Sequence, residues 1–322
     1  MNDFAAVITV TLNTAIDRVL EAENFAVGGH LRAKPISRYP AGKGINVSRA
    51  LARLNQSNIA TGFVGHAEAA DFEHFISSAS PGRAVSQLLS VRGPTRENIT
   101  VLDPIHKTDT HLRTSGYQLA AHDVDRMQTK LGLLIRKGST VIFTGSLPAG
   151  LETDRFRDFV TSALKTGARV ILDIEGQLLH DVAAGLNQKL WMIAPNRQEL
   201  AELVPGLDTA HEPSVVNAAR RLLEHVEWVL VTLGPQGALL ISRTAAWRGT
   251  CGLKSDCLVS TVGCGDCMLA GVVVASLKDP DPADWLKLGL AAATANAATT
   301  GIAEFDEAAV SQLLPQAQVR RL

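Results

Sequence analysis

The sequence predicts an α/β fold: a doubly wound, mostly parallel sheet flanked by helices, with a small β-sheet lid. Three observations lead there. Short apolar runs alternate with helix-length amphipathic stretches, the runs end in polar punctuation, and one region alternates residue by residue instead. Val7-Ile8-Thr9-Val10-Thr11-Leu12, bounded by Asn13, is short and β-branched and reads as the first strand. After Pro40-Ala41-Gly42-Lys43-Gly44, the segment Ile45 to Leu54 spaces Val47, Ala50, Leu51 and Leu54 on one helical face. Thr140 to Phe143, Arg169 to Leu172, Leu190 to Ile193 and Trp228 to Val231 are dominated by apolar residues, as strands covered on both faces must be. Gly145-Ser146, Asp173, Pro195-Asn196 and Thr232-Leu233-Gly234 follow them, which places a binding crevice at the carboxyl edge of the sheet. From about Val85 to Ser115 the pattern is alternating and turn-rich. Thr100 to Asp103 and Thr108 to Leu112 resemble the strands of a hairpin, and the region reads as a lid inserted into one main domain.

Composition narrows the function classes. With 322 residues, 46% hydrophobic and 20% charged, the chain can bury a sizeable core and is too apolar to be disordered. It contains no apolar run of about 18 residues that would span a bilayer. A net charge of -1 sets up no global field for nucleic acid or an anionic membrane, so an anion site has to be built locally. No basic residue precedes Arg18, so the patterns of a secretory signal and of a transit peptide are missing and the cytoplasm is the expected compartment. The four cysteines, Cys251, Cys257, Cys264 and Cys267, lie in one short stretch, which suits free thiols better than a disulfide framework. Cys264 and Cys267 form C-x-x-C, a pattern of redox pairs and half zinc sites, but no second C-x-x-C or nearby His pair completes four ligands.

The strongest local signal is Ser260-Thr261-Val262-Gly263-Cys264-Gly265-Asp266, followed by a small-residue apolar helix. Gly263 and Gly265 allow a sharp turn that points successive N–H groups at a phosphate or a developing oxyanion. Asp266 reads either as a helix cap or as a base, because a carboxylate beside a phosphate hole repels the ligand in pure binding. Gly263-x-Gly265 has Met268 where a dinucleotide fingerprint needs a third glycine. Gly42-Lys43-Gly44-Ile45-Asn46 lacks the frame of a Walker A loop, and its plain alternative is a turn into a helix. Asn196 and Glu199 fit a capping box or a pair holding water around Mg²⁺. Thr232 to Gly237 is a strand end followed by a flexible turn.

Together these segments resemble the ribokinase-like (PfkB) sugar kinases, in particular their phosphosugar branch, which contains 1-phosphofructokinase and tagatose-6-phosphate kinase. Thr11-Leu12-Asn13-Thr14-Ala15-Ile16-Asp17 is similar to the branch's opening TLNPAxD, Ala41 to Val47 to its AGKGINV loop, and Thr95-Arg96-Glu97-Asn98 to its T-R-x-N element. Gly145-Ser146-Leu147-Pro148, Pro195-Asn196 with Glu199, Thr232 to Gly237 and Thr261 to Asp266 follow in the family's order, nearly end to end. The resemblance implies a single ribokinase-like kinase domain over 1–322, with lid segments near 10–40 and 90–115 that in many relatives contribute to a dimer. It implies Asp266 as the base that takes the proton from a sugar hydroxyl attacking the γ-phosphate of ATP, with Gly263, Cys264 and Gly265 amides on the transferring phosphoryl group. Asp17, Gly42, Gly44, Asn46, Asn98 and Ser146 would meet the sugar or its phosphate, with Lys43 and Arg96 supplying positive charge. His111 and Arg113, on one face of a presumed lid strand, are further candidates. ATP would lie over Thr232, Gly234 and Gly237, Asn196 and Glu199 would organise Mg²⁺ through water, and Ser260, Val262 and Asn296 would match a monovalent cation such as K⁺.

The departures from that pattern are specific. Ala194 stands where the family commonly has Lys before Pro-Asn, Asp173-Ile174-Glu175 replaces Asp-Ser-Ser, Thr14 replaces Pro, and Cys264 and Cys267 replace Ala and Ser. A thiol at a helix N-terminus is expected to have a lowered pKa and to be oxidisable. Lys43 and Arg96 tilt the acceptor toward a phosphorylated sugar: fructose 1-phosphate first, then tagatose 6-phosphate or fructose 6-phosphate. A non-catalytic sugar-phosphate sensor and a zinc or thiol redox protein are the readings from other classes.

Overall fold

The computed structural model describes residues 6–253 and 257–322. The chain runs through β1 (Val7–Thr11), crosses into β2 (Ala15–Glu21) and β3 (Lys34–Ala41), and returns by α1 (Lys43–Arg53), β4 (Asn58–Gly65), α2 (Ala69–Ser77) and β5 (Ala84–Val91). Next come β6 (Arg96–Asp103), β7 (Thr108–Arg113), α3 (Ala121–Leu134), β8 (Thr140–Thr144), α4 (Thr153–Lys165), β9 (Arg169–Asp173), α5 (Gly176–Ala184) and β10 (Leu190–Ile193). The last part contains α6 (Arg197–Leu203), α7 (Glu212–Leu222), β11 (Val226–Thr232), β12 (Ala238–Ser242), β13 (Ala246–Thr250), α8 (Cys264–Ser276), α9 (Pro282–Ala297), α10 (Glu307–Leu313) and β14 (Gln318–Arg321). Among the described residues no helix is long and apolar enough to cross a membrane.

Ten strands form one sheet in the order β14-β13-β12-β11-β10-β9-β8-β1-β4-β5, parallel from β11 to β5 and antiparallel from β11 to β14. Apolar residues continue along its central strands because both faces are covered. In β8, Val141 and Phe143 pack with α3 and α4 while Ile142 faces α8 and α9; β9 and β11 divide in the same way around Ile171 and Leu230. All these side chains are buried. Parallel pairing carries the ends of β8, β9, β10 and β11, and the polar residues after them, to one edge of the sheet.

A second sheet, ordered β3-β2-β6-β7, joins β2 and β3, on the path between β1 and α1, to β6 and β7, which follow β5. The expected hairpin is β6 paired antiparallel with β7, but the alternating pattern begins too early. Residues 84–91 form the edge strand of the large sheet, parallel to β4. An edge strand has one neighbour and is partly solvated, so its sequence alternates like that of a lid strand. In the small sheet Tyr39, Asp17, Asn98 and Arg113 lie opposite one another in a row across four strands.

Asp103 ties the far end of this sheet together. Its buried carboxylate accepts from the N–H groups of Asn24, Phe25, Ile105 and His106, and pairs with His106 Nδ1 at 2.7 Å. Burial would raise its pKa, but the His106 side chain and these amides outweigh burial and hold it well below the ordinary aspartate value of 3.8. The contribution to stability is therefore complete above that value and is lost as pH falls below it. Asp103→Ala should speed amide exchange in residues 22–25 and 104–107 and leave β8 to β11 protected, as read by hydrogen–deuterium exchange. Equal loosening of both sheets would contradict this.

Candidate active site

Helix α8 begins at the carboxyl edge of the large sheet. Gly263 precedes it in the left-handed region at φ 76°, where a Cβ would lie 2.3 Å from Ile302 Cγ2, so glycine is required on both counts. Cys267 N donates the first intrahelical bond, to Gly263 O at 2.9 Å, which leaves the amides before it at the positive end of the helix. Cys264 N already has a long contact to Thr261 O at 3.4 Å, whereas open space surrounds the position of a Gly265 Cβ. Asp266 makes no capping bond to α8. Its Oδ2 instead accepts from Asn46 Nδ2 at 2.8 Å, joining α8 to α1, and the side chain is buried. Burial and the nearby Asp173 charge push the Asp266 carboxyl up to about 7, against the opposing effects of Asn46 and Lys43.

Lys43, on the first turn of α1, reaches Asp173 Oδ1 at 3.3 Å and Glu199 Oε1 at 3.9 Å. Burial would lower its pKa, but Asp173, Glu199 and Asp266 outweigh it and hold the ammonium above its ordinary value. The capping box at α6 is real: Asn196 Oδ1 accepts from Gln198 N and Glu199 N, and Glu199 Oε2 accepts from Asn196 N at 2.8 Å. The box fixes Glu199 with its other oxygen turned to Lys43, so the two readings of this motif are compatible. Burial raises the Glu199 carboxyl, partly offset by the Asn196 N–H and Lys43. Asp173, at the end of β9, was not among the site residues expected from sequence; besides Lys43 it accepts from Thr144 Oγ1 at 3.0 Å. Its position at a strand end was the available signal.

The opposite wall comes from the small sheet. Asn98 Nδ2 donates to Asp17 Oδ1 at 2.7 Å, and Arg96 Nη2 donates to Asn13 O at 3.2 Å. Burial raises the Asp17 carboxyl against the effects of Asn98, Arg96 and Arg113. Arg96 Nε and Asn98 Oδ1 are buried without a hydrogen-bond partner, as expected of groups arranged for a ligand. The two walls enclose a cleft of about 370 Å³ whose lining includes Asp17, Gly42, Lys43, Asn46, Arg96, Asn98, Asn196, Glu199, Thr232, Val262, Gly263, Gly265 and Asp266. Asp173 and Ala194 join them, with Leu230, Leu269 and Ile302 as apolar lining.

Several expected positions are placed differently. Gly44 is buried in the first turn of α1, where a Cβ would collide with Thr11 Oγ1, so it serves helix–strand packing rather than ligand contact. Gly237 likewise makes room for Gly249 O, and neither it nor Gly234 lines the cleft. Ser146 lies outside the lining and accepts from Asn13 Nδ2 at 3.1 Å. Lys43 points to the Asp173 and Glu199 side, leaving Arg96 as the cation of the small-sheet wall. Arg113 stands in register with Asn98, while His111 is exposed and paired with Asp109.

The donor sets for metals divide. Glu199 Oε1 and Asp173, two carboxylates that share the Lys43 ammonium, are oxygen donors of the kind that fit water-mediated Mg²⁺. The Asn296 side chain does not fit a cation: Nδ2 donates to Val262 O at 2.8 Å, and Oδ1 accepts from Ala303 N at 2.8 Å, which fixes the amide's orientation. The Ser260 carbonyl accepts from Cys264 Sγ at 3.8 Å. The expectation of a lowered Cys264 pKa fails as well. Burial and the Asp266 carboxylate raise this thiol, with Asn296 only partly opposing, and Cys267, fully buried beside Asp266, is raised further. The helix dipole is outweighed by desolvation and a neighbouring negative charge.

Helix amides beside an open cleft, a buried carboxyl raised to about 7 and a wall carrying Arg96 are groups suited to phosphoryl transfer. Over residues 6–309 the chain matches the pfkB family carbohydrate kinases, and it belongs to that family. It is similar to the 1-phosphofructokinase of Bacillus subtilis, 31% identical over 98% of this chain and 100% of the relative. With the tagatose-6-phosphate kinase of Staphylococcus epidermidis it shares 28% identity over 83% of this chain and 84% of the relative. The fold superimposes on phosphofructokinase-2 of Escherichia coli, solved in complex with potassium, with TM-score 0.84 and 25% identity over 97% and 99% of the two chains. The protein is an ATP-dependent sugar-phosphate kinase.

A base at this raised carboxyl acts only after losing its proton, so with Asp266 in that role kcat/KM should rise with pH and level off above about 7. Lys43→Met removes a cation that favours the carboxylate, so this limb should move to higher pH. A limb unmoved in that variant would separate Lys43 from the titrating group.

Proposed function

We propose that the chain transfers the γ-phosphoryl group of ATP to the 6-hydroxyl of fructose 1-phosphate, giving fructose 1,6-bisphosphate, with Asp266 as general base. The observation that carries this reading is the Asp266 carboxyl, raised to about 7, pinned by Asn46 at the start of α8 and facing the cleft between the two walls. Asn46 occupies Oδ2, which leaves Oδ1 to take the hydroxyl proton as the oxygen attacks phosphorus. The amides of Gly263 and Gly265 meet negative charge on the transferring group, and Cys264 contributes through its backbone alone, so its thiol is compatible with the task. Arg96 and Asn98 receive the acceptor's phosphate and hydroxyls, and Asp17 orients the sugar through its carboxylate.

Mg²⁺-ATP, when bound, supplies the phosphoryl group and charge neutralisation. Glu199 and Asp173 would hold the metal through water, Thr232 would lie beneath the nucleotide, and Ala194 contributes no charge there. We treat the small sheet as the lid that closes over the acceptor and excludes water. Both substrates are cytoplasmic metabolites, and we place the reaction in that compartment.

The choice of fructose 1-phosphate rests on the similarity to kinases of that name and on the cationic small-sheet wall; tagatose 6-phosphate and fructose 6-phosphate carry the same groups in other positions. Mg²⁺-ATP-dependent ADP release, measured with these three phosphosugars, fructose and ribose, decides among them. Strong turnover on fructose 1-phosphate, reduced by about 10²–10⁴ in Asp266→Asn, is the expected result. Phosphosugar binding without turnover on any of them would favour the sensor instead. Arg96→Ala should raise KM for the phosphosugar about tenfold or more with little change in KM for Mg²⁺-ATP. We also assign the outer face of the small sheet, where Leu112 is half exposed, to contact with a second copy, and sedimentation of the full chain should give a dimer.

A further inference from the structure

The short link Leu12-Asn13-Thr14 carries the chain from the large sheet into the small one, and it is held by one buried hydroxyl. Tyr117, 3% exposed, donates to Leu12 O at 2.9 Å and accepts from Thr14 N at 3.1 Å. Thr14, 0% exposed, donates its own hydroxyl to Phe63 O at 2.8 Å, and the two hydroxyl oxygens lie 3.3 Å apart. Each proton in this node has an acceptor: the amide of Thr14 serves Tyr117, the phenol serves Leu12, and the threonine hydroxyl serves β4 at Phe63. Burial drives the phenol's pKa up to about 12, so it remains a neutral donor.

We infer that Thr14 and Tyr117 act as one coupled unit that positions the acceptor wall. Between Leu12 and Thr14, the two residues the phenol joins, lies Asn13, whose carbonyl accepts from Arg96 and whose side-chain amide donates to Ser146 and Leu147 O. Asp17 follows three residues after Thr14, in β2 beside Asn98. A shift of this link therefore moves Arg96 and Asp17 together, relative to an Asp266 anchored on the other sheet. Neither Thr14 nor Tyr117 lines the cleft, so both are positioning residues.

The pairing has a stereochemical signature. The opening motif that this segment resembles has proline where Thr14 stands. A proline ring puts Cδ where the amide hydrogen was, against the Tyr117 hydroxyl that lies 3.1 Å from the nitrogen. Thr14→Pro alone therefore collides with that oxygen, and Tyr117→Phe alone leaves a buried N–H unpaired. With both changes the colliding oxygen and the unpaired hydrogen are removed together, so the double variant escapes both penalties, while the carbonyls of Leu12 and Phe63 still lose their donors.

The test is a double-mutant cycle on the full chain: Tyr117→Phe, Thr14→Pro and the double variant, each measured for KM of the accepted phosphosugar, KM of Mg²⁺-ATP and urea midpoint. Each single change should raise the phosphosugar KM about tenfold, the effect of one unpaired buried donor, while KM for Mg²⁺-ATP stays within about twofold. The double variant should lose clearly less than the two single losses combined, in both phosphosugar KM and urea midpoint. A Thr14→Pro chain that folds only when Tyr117→Phe is present gives the same answer. Additive losses, or a double variant that fails to fold where Tyr117→Phe succeeds, overturn the coupling. Urea midpoints that fall while phosphosugar KM is unchanged, or both KM values rising equally, overturn the positioning role. The kinetic arm rests on the phosphosugar-kinase reading. If the parent turns over no phosphosugar, that reading fails by itself, and the urea cycle still decides whether the pair is coupled.

Discussion

Lys43 is the cation on which the cleft's electrostatics depend. Asp173 and Glu199 lie 3.3 and 3.9 Å from its ammonium, and Asp266 is close enough to raise its pKa further. Carboxylates gathered without a cation push one another's protonation upward, and Lys43, with Asn46, opposes the effect of burial and Asp173 on Asp266. With Lys43 present, its carboxyl titrates at about 7, where it can accept a proton under ordinary conditions. The same placement leaves Arg96 as the cation that lines the cleft from the small sheet. One ammonium cannot both neutralise a carboxylate cluster and contact an anion on the far wall.

Cleft geometry follows from the way two sheets meet. Parallel strands bring Asp173, Asn196 and Thr232 to one edge although nearly 60 residues separate the first from the last. The second sheet sets Asp17, Asn98 and Arg113 in a row that faces this edge. Contact between the sheets includes the polar link at Asn13 and Thr14, where Thr14 is buried and Asn13 half-buried, with hydrogen bonds to Tyr117, Phe63, Ser146, Leu147 and Arg96. Arg96 Nε and Asn98 Oδ1, buried in two residues that line the cleft, lack partners, as do Thr9 Oγ1 and Thr11 Oγ1 in β1.

The cysteines and Asn296 show where local rules lose to surroundings. A thiol on the first turn of a helix is favoured as thiolate by the dipole, yet Cys264 lies partly buried beside Asp266, and both effects favour the thiol. Asn296 has the composition of a cation ligand, but a backbone N–H of Ala303 claims its oxygen and turns its NH₂ to Val262 O. It becomes a brace for the loop leading into α8. Gly44 and Gly237 belong to the same group: glycines in binding motifs whose missing Cβ is required by a neighbouring strand.

What the sequence by itself determined was five of the parallel strands, β1 and β8 to β11, the order of the motifs and most of the residues that line the cleft. Apolar runs and strand-end polar residues are local signals, and helix starts at Gly263 and Asn196 depend on two or three neighbouring residues. Tertiary structure decided everything that depends on which groups meet across long separations. β5 joined the large sheet because an edge strand and a lid strand share one alternating pattern. Asp173 became part of the site through Lys43, 130 residues away in the chain, and Asp266 gained its hydrogen bond from Asn46 at a separation of 220 residues. The Thr14 departure looks neutral in the sequence, because its hydroxyl and amide acquire a purpose only where Tyr117 and Phe63 close around them. Protonation and orientation are set by burial and by charges within a few ångströms, and a linear pattern does not encode those distances.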